Sequence, residues 1–212
     1  MIRLYRAHWS TNCERVALGL AHKGVNVESV LIEYSDRSPV ERISGQPLVP
    51  VIVDGDEVVH DSTRILRNLE ERYPEPSLFP ADPTRRAELD VFLDWFNEVW
   101  KRAPNTIEDE LERETPDESV IERCGALIAS RLDLFEELLT DREYLMGDEF
   151  SAADCAAFPF LKYARIRDPE DTELYHRILD ARQDLGGDHP RLVAWIDRVD
   201  ERPRAYGDTV AG

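Results

Sequence analysis

Residues 48–63 constrain the fold of this chain more than any other stretch. Two short apolar runs, Leu-Val-Pro-Val-Ile-Val and Glu-Val-Val-His, flank Asp54-Gly55-Asp56, which predicts a tight β-hairpin. The hairpin feeds straight into a helical pattern opened by Asp61, Ser62 and Thr63. Pro50 opens its strand, where a missing N–H is tolerated. The Val49-Pro50 bond is therefore a candidate for the cis form, which would turn the Val49 backbone outward. Asp61 and Ser62 both suit a helix N-cap, and the N–H groups left free at such a helix start form a ready anion site.

The preceding residues supply a partner for this hairpin. Residues 2–5 read as a short strand, and a polar loop then leads to a helix whose apolar stripe is Cys13, Val16, Ala17 and Leu20, with Gly24 as its stop. Residues 25–32 read as a second strand, joined to the first through that helix and so parallel to it by a right-handed crossover. A short helix near residues 40–43 precedes the hairpin, and Ile65, Leu66, Leu69 and Tyr73 form the stripe of the helix after it. The order is βαβαββα, a mixed α/β domain over residues 1–75.

Pro74, Pro76, Pro80 and Pro83 break all periodicity, and residues 76–83 read as a linker. From residue 84 to 212 the patterns are helical: Leu89, Phe92, Phe96 and Val99; Ile121, Cys124, Ile128, Phe135 and Leu139; Leu192, Ile196 and Val199. No strand is expected there. Ser151 and Asp154 have the spacing of a capping box, with Phe150 as its hydrophobic staple, and Pro159 should bend that helix or sit where its lost hydrogen bond is tolerated.

A formal charge of −18 argues against nucleic acid as a partner. The acidity is uneven: residues 1–80 hold 9 Lys+Arg against 12 Asp+Glu, and residues 81–212 hold 17 against 32. Only Lys23, Lys101 and Lys162 are lysines, and the acidic surface is read as a solvated one that keeps the chain soluble. Cys13, Cys124 and Cys155 are odd in number and widely spaced, so free thiols are expected, and neither a disulfide framework nor a metal site. No run is long and apolar enough for a membrane span, and the first residues lack the layout of a signal peptide, which makes the cytoplasm the expected location.

Four motifs in order carry a family resemblance. Ser10-Thr-Asn-Cys13-Glu-Arg15-Val16 lies at the first loop-to-helix junction; Val49-Pro50, Asp61-Ser62 and Ser151-x-x-Asp154 follow. Together they resemble the cytosolic glutathione transferases, a thioredoxin-like domain followed by a helical bundle domain, over nearly the whole chain.

The resemblance implies that glutathione, or a related γ-glutamyl thiol, is a cosubstrate, with no covalently bound cofactor, and that a small hydrophobic electrophile receives it. Val49 and Pro50 would hold the cysteinyl unit through the Val49 backbone, and Asp61 and Ser62 the γ-glutamyl end. This agrees with the anion site read from the residues, although plain helix capping accounts for both positions as well. Ser10 would be the catalytic hydrogen-bond donor to the sulfur. A thiol with a pKa near 8.5 is only about 3% ionised at pH 7, and a fall of two units raises that to roughly three quarters.

Cys13, Thr11 and Asn12 are the alternatives to Ser10. Cys13 also starts the apolar stripe, which favours a buried structural role. Two other readings remain: a noncatalytic interaction module on the same fold, and a thiol-disulfide or deglutathionylating enzyme using Cys13. The resemblance further implies a homodimer. Ser44-Gly45-Gln46-Pro47-Leu48 departs from the family's Asn-Pro-x-Gly and leaves the contacts of Gln46 open. Trp95, Asn97, Trp100 and Arg102 share one helix and are assigned no role.

Overall fold

A computed structural model describes residues 1–210. The described chain divides into two compact units, Met1–Pro80 together with residues 202–210, and Ala81–Glu201.

In the first unit the elements run β1 (Ile2–Arg6), α1 (Thr11–His22), β2 (Val27–Leu31), α2 (Ser38–Ser44), β3 (Val51–Asp54), β4 (Glu57–His60) and α3 (Ser62–Arg72). This is the expected βαβαββα order. β1 and β2 are parallel, with Ile2 opposite Val27 and Arg6 opposite Leu31. β3 runs antiparallel to β1, and β4 antiparallel to β3 through the Asp54-Glu57 pair. Gly55 takes the turn at φ 63°, a left-handed conformation that a residue without Cβ adopts at no steric cost.

Strand alternation sorts the core into two layers. Ile2, Leu4, Val27 and Ile52 pack with Val16 and Leu20 of α1 and with Ile65 and Leu69 of α3. Tyr5, Val30 and Val51 point the other way and meet Val40 of α2. Each fully buried aliphatic side chain contributes about 1.5–3 kcal/mol, so a register slip of one residue would forfeit both layers. α1 and α3 approach closely at Gly19, where a Cβ would stand 2.4 Å from Leu66 Cδ2.

Two features depart from the sequence expectation. The proline-rich stretch contains the boundary between the units, but its first half is docked on the first one: Leu78 and Phe79 are buried, and Glu70 on α3 accepts from Leu78 N (2.9 Å) and Ser77 Oγ (2.8 Å). The same carboxylate takes the ammonium of Lys23 at 2.5 Å. The second departure is at the end of the chain, where a continuously helical domain was expected. After residue 201 the backbone instead lies along α1 and forms β5 (Asp208–Thr209), parallel to β2. The sheet order is β4-β3-β1-β2-β5. Two residues, both exposed, carry no alternation that could announce a strand.

The second unit is helical among its described residues: α4 (Pro83–Trp95), a π-helical segment (Phe96–Trp100), α5 (Arg102–Leu111), α6 (Glu118–Ser130), α7 (Leu132–Leu138), α8 (Ala152–Leu161), a 3₁₀ turn (Lys162–Ala164), α9 (Leu174–Arg182) and α10 (Pro190–Asp200). In the π segment Lys101 N donates to the Phe96 carbonyl, five residues back. Pro104 has no N–H for the Trp100 carbonyl four residues back, and Arg131 Nη1 donates instead to the Val99 and Trp100 carbonyls at 3.0 and 3.2 Å. Ser151 and Asp154 form the expected capping box at the start of α8, with Phe150 buried beside it, and α8 continues through Pro159.

Candidate functional site

Strand register brings the first three motifs to one end of the sheet. Tyr5 on β1 is opposite Val51 on β3, and Val51 is opposite His60 on β4. Beyond those three partners lie, in turn, the loop 7–10 that ends at Ser10, the Val49-Pro50 pair, and Asp61 with Ser62. The helices that follow, α1 and α3, therefore both begin at this end, and each presents first-turn N–H groups there.

Ser10 is the N-cap of α1, with extended backbone (φ −71°, ψ 113°) and its Oγ accepting from Cys13 N at 3.2 Å. A hydroxyl has one proton and two lone pairs. One lone pair is committed to the helix, and the hydroxyl also interacts with the Cys13 thiol.

Asp61 and Ser62 divide the two roles that either could have filled. Asp61 is the cap, and its Oδ1 accepts from Thr63 N and Arg64 N, each at 3.0 Å. Its φ of 71° is rare for a residue with a side chain. Such conformations cluster at ligand clamps. Ser62, the first helical residue, is buried, and its Oγ accepts from Arg15 Nη1 at 3.3 Å.

Val49-Pro50 is cis, as expected, and the Val49 side chain packs against the Tyr5-Val51 layer. The approach to it is held by Gln46. That amide accepts from Leu48 N at 2.7 Å through Oε1 and donates to the Leu48 carbonyl at 2.9 Å through Nε2, and it also donates to Ser44 Oγ at 2.9 Å. Gln46 is thus a local brace for the segment before the cis bond, a contact set that the sequence left open.

Cys13, Thr11 and Asn12 are less suited to thiol chemistry. Cys13 is 1% exposed, and burial pushes its thiol up to about 11 despite the opposing pull of Ser10, the Ala7 backbone, Arg6 and Arg37. Thr11 is buried and Asn12 half-buried, both inside the first turn of α1. In the helical unit Trp100 is fully buried and stacks on Phe96 with centroids 4.6 Å apart, so it is core. Among the described residues no group of three His, Cys, Asp or Glu side chains could hold a metal ion, and no helix is long and apolar enough to cross a membrane.

Family models decide what this arrangement belongs to. Residues 4–77 match the glutathione S-transferase N-terminal domain, and residues 118–198 the glutathione S-transferase C-terminal domain. The chain belongs to the glutathione S-transferase family. Among its relatives, glutathione S-transferase F10 of Arabidopsis thaliana is 32% identical over 89% of this chain and 87% of its own length. Glutathione S-transferase 3 of Zea mays is 30% identical over 99% and 93%. The crystal structure of a glutathione S-transferase from Rhodospirillum rubrum F11 superposes with a TM-score of 0.76 at 27% identity, covering 97% of this chain and 90% of that one.

Within this glutathione S-transferase chain, two relationships escaped the sequence reading. Arg15 was visible only as part of a motif. Its signal was a charge at a helix position otherwise surrounded by buried residues, since Glu14, Arg15, Val16, Ala17 and Leu18 are all buried. The tail after residue 201 gave no signal at all, because its partners are far away in sequence.

Proposed function

We propose that the protein binds glutathione or a related γ-glutamyl thiol at this end of the sheet, stabilises its thiolate with the Ser10 hydroxyl, and conjugates it to a small hydrophobic electrophile. The observation that carries this reading is the placement of two serine hydroxyls, Ser10 at the start of α1 and Ser62 at the start of α3, at the end of the sheet that also holds the cis Val49-Pro50 bond. Each accepts one hydrogen bond from the protein, Ser10 from Cys13 N and Ser62 from Arg15, and each can turn its own proton toward a bound anion.

In this reading the γ-glutamyl carboxylate accepts from the Ser62 hydroxyl at the start of α3, whose Thr63 and Arg64 N–H groups are already held by Asp61. The neighbouring ammonium faces Asp61, whose Oδ1 already serves the helix and whose Oδ2 faces the ligand. Val49 pairs with the cysteinyl unit through its backbone. Lowering the bound thiol by two pKa units corresponds to about 2.7 kcal/mol of thiolate stabilisation, which one charge-assisted hydrogen bond and a helix N-terminus together can supply. The thiol proton leaves to solvent, the sulfur lone pair forms the new S–C bond, and the leaving group departs with its bonding electrons or, for an epoxide or enone, the displaced electron pair is protonated. By family analogy the active form is a homodimer in the cytoplasm.

The test is thermal stabilisation by a panel of small thiols, followed by conjugation assays with chlorodinitrobenzene, epoxides and enones. Stabilisation by glutathione together with thiol-dependent turnover is expected. Absence of both with every thiol and electrophile would overturn the reading, and thiol binding without turnover would favour a noncatalytic interaction module. Modification of Cys13 by glutathione disulfide would favour the exchange reading, which its burial opposes.

A further inference from the structure

The loop 7–10, which ends at Ser10, is bounded by Arg6, the last residue of β1, and by the first turn of α1, which contains Glu14. Both boundaries are held by three consecutive residues of the tail. Arg204 donates to Glu14 Oε1 through Nε (3.2 Å) and Nη2 (3.1 Å), and the two side chains are only 15% and 10% exposed. Ala205 N donates to the Ala17 carbonyl at 3.0 Å. The Tyr206 ring lies under the Arg6 guanidinium, 4.5 Å from Cζ to centroid, and the Tyr206 carbonyl accepts from Ser29 Oγ, which in turn accepts from Arg6 Nε at 2.9 Å.

Beyond this clamp the chain is stitched to the sheet edge. β5 pairs with β2, and Val210 N donates to the Ser29 carbonyl at 2.8 Å. The hinge between clamp and stitch is Gly207, at φ +62°, where a Cβ would fall 1.8 Å from the Val27 carbonyl oxygen. No residue with a side chain fits that close approach without moving the backbone.

We propose that the tail, residues 202–210, is a strap that positions the Ser10 loop, with Arg204 as the principal positioning residue acting through Glu14 and Tyr206 acting through Arg6. The inference rests on the reading that Ser10 donates to the bound thiol. A largely buried ion pair with two N–H donors fixes both distance and orientation, and a cation over an aromatic face adds to it. Holding both ends of a four-residue loop leaves its hydroxyl little freedom. A misplacement of the order of 1 Å in a catalytic group can cost about a hundredfold in rate.

The experiment compares the full-length protein with Arg204→Ala, Arg204→Lys and Gly207→Ala. Hydrogen exchange of the amides in residues 7–14 reads the loop without requiring activity. It should accelerate in Arg204→Ala and Gly207→Ala and return toward wild type in Arg204→Lys. In conjugation assays normalised to folded protein, Arg204→Ala should lose about 10- to 100-fold in kcat while KM for the thiol stays within about threefold. The acidic limb of its kcat–pH profile should move upward by about one unit as thiolate stabilisation weakens. Unchanged exchange in residues 7–14 would overturn the proposal. So would an unchanged kcat, or a lysine variant as impaired as the alanine one. If Gly207→Ala does not fold, Arg204→Ala alone decides. If the wild type neither binds nor conjugates a thiol, the proposed function falls, while the exchange measurement still decides whether the tail holds the loop.

Discussion

Arg15 Nη1 stands 3.3 Å from Ser62 Oγ, joining the helix behind Ser10 to the helix behind Asp61 across 47 residues of sequence. Arg15 is 1% exposed, so this is a buried charge beside the proposed γ-glutamyl subsite. A hydrogen bond from a charged donor contributes about 1.5–3 kcal/mol, and it polarises the acceptor's own proton toward the ligand. Arg15→Met, which retains much of the apolar volume, should therefore weaken glutathione binding about tenfold or more by calorimetry. Ser62→Ala should do the same, and the double variant should be no worse than either alone. Strictly additive losses would show that the two residues act independently.

Ser10 and Cys13 share a hydrogen bond but should separate cleanly on substitution. Ser10→Ala removes one hydrogen-bond donor and is expected to lower kcat about 10²- to 10³-fold with thiol affinity nearly retained. Loss of the N-cap should also lower stability by about 1 kcal/mol. Cys13→Ala should leave the conjugation rate unchanged. A thiol with a pKa of about 11 is ionised to only about one part in ten thousand at pH 7, so mass spectrometry after treatment with glutathione disulfide should find Cys13 unmodified.

Asp154 is the most heavily used carboxylate in the helical unit. Completely buried, it accepts from Leu145 N (3.0 Å), Ser151 N (2.9 Å), Ser151 Oγ (2.9 Å) and Trp195 Nε1 (2.8 Å). Asp154→Ala leaves several buried donors without an acceptor and a cavity beneath α8. The expected loss is about 3–5 kcal/mol, read from urea denaturation followed by tryptophan fluorescence. Asp154→Asn, similar in shape, should lose less.

His189 predicts a pH dependence of opposite sign to that of an ordinary buried histidine. Burial pulls its pKa down, but the Leu185 carbonyl on Nδ1 and the carboxylates of Asp133 and Glu136 outweigh this, and the imidazole sits above its usual value. The stabilisation is present in full below the unfolded value of about 6.5 and is lost as pH rises through the higher folded value. Because Asp133 is 83% exposed, the effect should stay below about 1 kcal/mol. The stability difference between wild type and His189→Gln should shrink steadily from about pH 6 to pH 8 in denaturation midpoints. A difference that is flat or grows with pH would contradict the assignment.

The legible part of the fold was local in sequence. The Asp-Gly turn, the Val-Pro junction and the stripes of α1 and α3 each fit within one window, and the parallel crossover and the hairpin follow from them. The Ser151-Asp154 box was readable for the same reason, since capping partners are three residues apart. The candidate site was legible as a set of motifs, not as a geometry. Nothing in the sequence distinguished Asp61 as the cap from Ser62 as the partner of Arg15, because either residue type can do either task and the choice depends on a helix 47 residues away.

What the sequence by itself determined about this protein is the family, the βαβαββα order and the residue types offered at one end of the sheet. The element order rests on periodicity and on short-range backbone chemistry, which act within a few residues, and the family on four motifs that resemble a known pattern. Only the tertiary structure decided that Ser62 is held by Arg15 while Asp61 caps the helix, that Cys13 is too deeply buried to ionise readily, and that the tail after residue 201 returns to Glu14 and Arg6. Burial, ion pairing and strand addition at an edge depend on what arrives from elsewhere in the chain. Arg204 and Glu14 are 190 positions apart, and no local pattern records that they meet.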